Sequence, residues 1–151
     1  MPEAEGKKFP WNSPEKIRAD FLETFPYEGE KQLIEYRTEE FSAVCPFSGL
    51  PDYGTLTIRY IPHKMCLELK SYKYYLVSFR SVGIYQEAAT DRIFNDLKNI
   101  LNPHYLFVET LYNTRGGIDA RCQMEYPSNE NQRYQDESET PRSMSAAKRK
   151  I

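Results

Sequence analysis

The sequence has few of the residues that hold metals or form disulfides. Its 151 residues include three cysteines and two histidines. Cys45, Cys66 and Cys122 are odd in number and widely spaced, which excludes a disulfide framework and leaves Cys45 to be read as a free thiol. His63 and His104 have no zinc-ligand spacing, so no metal is expected. Charge of one sign is also lacking. The net charge of −2 gives no global field for nucleic acid or an anionic membrane, so neither is expected as a direct partner. No apolar run approaches a membrane span, and the first residues lack the apolar stretch of a signal peptide; the expected location is cytoplasmic.

What is present is ordinary in bulk and rich in rings. A hydrophobic share of 40% and a charged share of 28% fit one soluble domain with a sizeable core. Aromatics reach 14%, a supply that suits a core, a pocket for a planar ligand or a subunit interface alike.

The chain divides into three parts: an arm with a short peripheral helix (residues 1–30), a single domain (31–126) and a polar tail (127–151) read as flexible. Trp11 is expected to anchor the arm to the body or to a neighbouring subunit. Ser13 and Pro14 read as the N-cap and first residue of the peripheral helix, with Ile17, Phe21 and Leu22 on its apolar side. A strand is expected over 31–44, with a bulge or bend near Glu39 and Glu40. After Gly54 a clean alternation follows, Leu56, Ile58 and Tyr60 one way, Thr55, Thr57 and Arg59 the other. A third extended stretch covers 65–70.

The period then changes. Tyr72, Tyr75, Leu76 and Phe79 form a helical stripe that Ser71 is expected to cap. A second helix over 87–101 buries Ile93, Phe94, Leu97, Ile100 and Leu101, and Pro103 stops it. Strands over 105–112 and 118–126 close the domain as a hairpin with a turn at 113–117. The fold class is therefore α+β, an antiparallel sheet with two helices packed on one face. The other face is expected to need cover, which oligomerisation would supply.

One polar break between strands draws attention: Cys45-Pro46-Phe47-Ser48-Gly49-Leu50-Pro51-Asp52. A thiol and a carboxyl group held in a rigid turn can serve as nucleophile and proton donor. The plainer reading is a small buried residue before a turn that Asp52 caps. Glu68 and Glu87 can accept paired N–H bonds from a guanine-like edge, although an acid at a helix start is also favourable on its own. Lys70 and Lys73 are either solvated or hold phosphates with the helix start, and Arg115-Gly116-Gly117 is accounted for by a hairpin turn alone.

Taken together, these stretches resemble the NADPH-dependent 7-cyano-7-deazaguanine reductases, the nitrile reductases of queuosine synthesis, in their short form. The carriers are Glu68-Leu69-Lys70-Ser71-Tyr72-Lys73-Tyr74-Tyr75 and the segment Phe41 to Asp52, with Ser78-Phe79-Arg80, Gly83, Asn95-Asp96-Leu97 and Arg115-Gly116-Gly117. The resemblance spans roughly residues 20–126. It implies the tunnelling fold, assembled as a homodecamer of two stacked pentamers with sites at subunit boundaries. It further implies Cys45 as nucleophile, Asp52 as proton donor, and Leu67, Glu68, Leu69, Gln86 and Glu87 as contacts to 7-cyano-7-deazaguanine. Lys70, Lys73 and Arg115 would meet the phosphates of NADPH, the hydride-donating co-substrate, with no metal required. The implied reaction runs through a covalent cysteine thioimide to 7-aminomethyl-7-deazaguanine, for tRNA modification. One departure stands out: the family usually has histidine where this chain has Gln86, which cannot titrate near neutrality. A second reading is a non-reducing tunnelling-fold protein that binds a purine- or pterin-like ligand; a third is a structural oligomer.

Overall fold

Two antiparallel hairpins make the main sheet, and the helices between them cover one of its faces. The computed structural model describes residues 2–7 and 9–128. In chain order the elements are β1 (Thr24–Pro26), β2 (Ile34–Val44), β3 (Pro51–Ile61), β4 (Met65–Leu67), α1 (Leu69–Val77), α2 (Gln86–Leu101), β5 (Tyr105–Arg115) and β6 (Ile118–Tyr126). The main sheet is four-stranded with order β2-β3-β5-β6, and β1 pairs with β4 as a separate ribbon.

The alternation in β3 decides which face is the core. Leu56, Ile58 and Tyr60 are fully buried beneath the helices, together with Leu106 and Val108 of β5. The register of β2 against β3 shifts between Thr38 and Phe41, where the sequence predicts a bulge at Glu39 and Glu40. α2 buries Ile93, Phe94, Leu97 and Leu101, and Ile100 is only partly covered. α1 contributes Tyr72 and Tyr75. Beyond its end, Phe79 meets the Phe41 ring edge-on, with centroids 5.5 Å apart. The Tyr75 hydroxyl donates to Asp96 of α2 at 2.7 Å, so the two helices share a polar tie beside their apolar contact.

The opposite face carries cross-strand polar pairs. Arg59 donates to Glu35 across β2 and β3 at 2.7 Å, and Gln123 to Glu109 across β6 and β5 at 2.6 Å. Thr55 and Thr57, in the same row of β3 as Arg59, are buried. Phe107, with Arg59 over its ring, and Leu111 lie on the same face, which thus mixes cross-strand polar pairs with apolar side chains.

Several sequence expectations are corrected. The peripheral helix is two single 3-10 turns, Pro14–Lys16 and Ala19–Phe21, and the Ser13 side chain makes no capping bond. Ile17 and Leu22 are buried as expected, while Phe21 is exposed. The stretch over 65–70 stops being a strand at Leu67, because Glu68, not Ser71, caps α1. The last hairpin turns on Gly116 and Gly117 alone. Their φ values of 58° and 76° are the positive angles that a two-residue turn of this kind demands. This makes Arg115 the last residue of β5. The polar tail lies, from residue 129 on, outside the described residues.

Candidate active site

Cys45 stands just past the end of β2 in a turn closed from both sides. Its N–H donates to the Leu50 carbonyl at 2.9 Å, and its own carbonyl accepts from Gly49 N–H at 2.8 Å. Gly49 takes φ +69°, a backbone angle that a side chain would strain. The Ser48 hydroxyl accepts from Leu50 N–H at 3.2 Å and hydrogen-bonds the Cys45 sulfur. That bond holds the thiol below its ordinary pKa, helped by backbone N–H groups of Ser48 and Phe47. Burial and the Asp52 charge oppose the shift without reversing it. A lowered pKa in a half-exposed thiol is the condition for a reactive cysteine. Ser48 was not singled out by the sequence, although a hydroxyl inside a Pro- and Gly-fixed turn beside a thiol is the available signal.

Asp52 lies on the facing strand, paired in register with Ala43. It continues the core-facing row of Leu56 and Gly54, so its carboxyl group is buried at the edge of the apolar core. Arg115, from the tip of the β5–β6 hairpin, donates to it as an ion pair. Tyr112 sits beside this pair, its hydroxyl 3.5 Å from the Gln86 carbonyl and its pKa pushed up chiefly by burial. Val44 brings the start of α2 to the same place. Its N–H donates to Val82 O at 2.9 Å and its carbonyl accepts from Ile84 N–H at 3.0 Å. Gln86, half-buried, and Glu87, exposed, open α2 immediately afterwards. Cys45, Asp52, Gln86, Glu87 and Arg115 therefore gather at one end of the sheet.

The remaining candidates do not. Leu67 N–H donates to the Tyr60 hydroxyl at 3.0 Å, which fixes the start of α1 at the far end of β3. From Asp52 to Tyr60 the strand runs roughly 26 Å at the usual rise per residue. Glu68 caps α1 there, accepting from Lys70 N–H at 2.9 Å and Ser71 N–H at 2.6 Å. Those two bonds lower its pKa. Ser71 accepts in turn from Glu23 N–H at 2.9 Å, which ties the helix start to the chain entering β1. Leu67 is buried and Leu69 exposed. Glu68 and Lys70 face a surface depression of about 490 Å³, and Lys73 faces another of about 540 Å³ between β2 and α1. Neither includes Cys45 or Asp52. The Lys70 and Ser71 amides at the helix start are thus already engaged by Glu68, and Lys70 and Lys73 supply cationic side chains beside it. Among the described residues no group of three or more His, Cys, Asp or Glu could hold a metal ion, and no helix is long and apolar enough to cross a membrane.

Comparison with known proteins bears on this arrangement. The model of the QueF-like protein family matches residues 51–131, a span that begins after Cys45 and takes in Asp52, Glu68, Glu87 and Arg115. The NADPH-dependent 7-cyano-7-deazaguanine reductases of Thermotoga maritima and Thermotoga petrophila are each 54% identical over 125 residues, covering 82% of this chain and 91% of theirs. That of Caldicellulosiruptor bescii is 51% identical over 114 residues, 74% of this chain and 87% of its own. Among solved structures, the archaeosine synthase QueF-Like in its apo form superposes with a TM-score of 0.59 at 21% identity. That match covers 68% of this chain and 99% of that one, a likeness of fold. On sequence identity and coverage, with the fold in agreement, this chain belongs to the family of the NADPH-dependent 7-cyano-7-deazaguanine reductases.

Proposed function

We propose that this chain reduces the nitrile of 7-cyano-7-deazaguanine to the aminomethyl group with NADPH, in queuosine synthesis in the cytoplasm, using Cys45 as nucleophile and Asp52 as proton donor. The observation that carries the reading is the Cys45 turn, a lowered thiol pKa facing a buried carboxyl group across one hairpin.

The Cys45 thiolate attacks the nitrile carbon, forming a C–S bond as one C–N π bond opens. The nitrogen takes its proton from Asp52, giving a thioimide on Cys45. Asp52 donates in its protonated form, and in the structure Arg115 is ion-paired to it. The Asp52 carboxyl is free for the nitrile nitrogen once Arg115 moves off it, and the exposed position of Arg115 at the hairpin tip allows that. Bound NADPH supplies hydride, one molecule for each of the two hydrides the nitrile needs. After the first, the C–S bond breaks, Cys45 leaves as thiolate and an imine remains. The second hydride and a second proton complete the amine. Covalent attachment to Cys45 protects the reactive carbon from water while the cofactor is exchanged.

Glu87, and Gln86 beside it, anchor the deazaguanine ring near Cys45. Glu68, Leu67 and Leu69 reach the same ring only from another copy, because they sit at the far end of their own sheet. The same holds for Lys70 and Lys73 relative to Arg115 as contacts to the cofactor phosphates. The active form is accordingly an oligomer, and the family resemblance gives its size, a homodecamer of two stacked pentamers. Among the described residues β2 and β6 form the outer edges of the sheet, where such pairing can occur. The test is substrate-dependent oxidation of NADPH together with the mass of the product. Two NADPH consumed per aminomethyl product, lost in Cys45→Ala, supports the reading. Tight binding of the deazaguanine with no NADPH oxidation would instead leave a non-reducing ligand-binding relative.

A further inference from the structure

The N-terminal arm reaches the Cys45 turn by a route that its sequence does not announce. Asn12 runs parallel to the segment before α2: its N–H donates to Ser81 O at 2.7 Å, and Gly83 N–H donates to Asn12 O at 2.8 Å. This seats Trp11, the only tryptophan, between two glycines. A Cβ built on Gly83 would lie 2.1 Å from Trp11 Cδ1 and 2.2 Å from Nε1, so the pyrrole side of the indole occupies the space a side chain there would need. A Cβ built on Gly49 would lie 3.2 Å from Cζ3 and 3.5 Å from Cε3, so the benzene side rests on the Cys45 turn. Gly49 is the residue whose N–H donates to the Cys45 carbonyl, and Gly83 lies between the two residues that bracket Val44.

We propose that Trp11 is a positioning residue for Cys45: its indole bridges Gly49 and Gly83 and holds the nucleophile turn against the lead into α2. The inference rests on Cys45 being the nucleophile. Backbone hydrogen bonds from Val44 already tie the end of β2 to the lead into α2. At the two glycines, which bring no side chain, one fused ring system adds the packing between that lead and the Gly49 side of the turn. The spacing it sets is that between the thiol and Gln86 with Glu87, the residues that present the ring of the substrate. A displacement of about 1 Å at a reacting centre costs up to a hundredfold in rate, so a brace here acts on chemistry without touching substrate.

The test uses the full chain as Trp11→Ala, Trp11→Phe, Gly83→Ala and the double variant Trp11→Ala/Gly83→Ala. The first readout needs no substrate: the pH profile of Cys45 alkylation by iodoacetamide, followed on the Cys45 peptide so that Cys66 and Cys122 do not contribute. Ser48 and Asp52 are the polar groups whose relation to the thiol the profile reports. The second is kcat and KM for nitrile reduction. Trp11→Ala should move the alkylation profile toward that of an ordinary thiol and lower kcat by about ten- to hundredfold, with KM changed less. Trp11→Phe should fall between, because one ring covers one glycine but not both. Gly83→Ala should reproduce the Trp11→Ala phenotype by expelling the indole, and adding it to Trp11→Ala should cost little more, because the clash partner is gone. Alkylation profiles unchanged in both Trp11→Ala and Gly83→Ala overturn the inference, as do fully additive effects in the double variant. Should Trp11→Ala not fold, Trp11→Phe and Gly83→Ala decide by the same profiles. A wild type that alkylates normally yet never reduces the nitrile defeats the nucleophile reading, while the profiles still decide whether Trp11 holds the turn.

Discussion

The two long helices begin in different ways, and the contrast separates structure from chemistry. α1 starts under a carboxylate of its own chain: Glu68 takes two backbone N–H groups and, through Ser71, joins β1 to the helix. α2 starts after Tyr85 with no side-chain cap, its first turn carrying Gln86 and Glu87 beside the Cys45 turn. The same residue type, a glutamate at a helix start, is engaged locally in one case and left facing outward in the other. An acid that satisfies orphan amides has a stabilising role whatever else it does; one that does not is available to a ligand.

Four substitutions sharpen or break that contrast, in falling order of effect. Asp52→Asn keeps the shape of the buried group but removes the transferable proton, so turnover should fall by about two to four orders of magnitude. Stopped-flow NADPH oxidation would measure this, and unchanged turnover would remove Asp52 from the mechanism. Glu87→Gln should raise KM by about ten- to hundredfold, the cost of losing a charge-assisted pair of bonds to the ring, and leave the melting temperature nearly unmoved. Steady-state kinetics beside a thermal melt checks both halves. Ser48→Ala should shift the pH midpoint of Cys45 alkylation upward, since the Ser48 bond is the largest cause of the lowered thiol pKa.

Glu68→Gln, the smallest of the four effects, should lower the melting temperature by a few degrees near neutrality, and that loss should depend on pH. The sign follows from the direction of the shift. The Glu68 pKa is lowered in the folded chain, so its stabilisation is full above the ordinary glutamate pKa and fades as pH falls through the lowered value. Melts of wild type and variant should therefore converge in acid. A gap that stays constant with pH would mean that the Glu68 charge does not cap α1.

The strands and helices that these residues stand on were largely legible in the sequence, because period and local chemistry set them. Leu56, Ile58 and Tyr60 alternate and are fully buried; the Glu39–Glu40 bulge and the α2 stripe lie where the pattern places them. What the sequence hid depends on contacts between distant residues. Phe25 pairs with Cys66 in the β1–β4 ribbon, and Arg115 reaches Asp52 across a separation of 63 residues. No local pattern marks either. The α1 cap was misplaced for a local reason: serine is the stronger N-cap by preference, so Ser71 drew the assignment that Glu68 holds. The candidate site divides along the same line. Residue type and turn chemistry make Cys45 and Asp52 possible partners in catalysis and the family resemblance selects them, whereas the separation of Glu68 from them along β3 needed the fold.

The most direct test of the Cys45 end as the reacting end is the intact mass of the protein mixed with 7-cyano-7-deazaguanine in the absence of NADPH. The wild type, and Glu68→Gln once saturated, should each gain the mass of one substrate molecule per chain, and Cys45→Ala should gain none. An adduct that survives in Cys45→Ala, or no adduct in a wild type that still reduces the nitrile, would contradict the account.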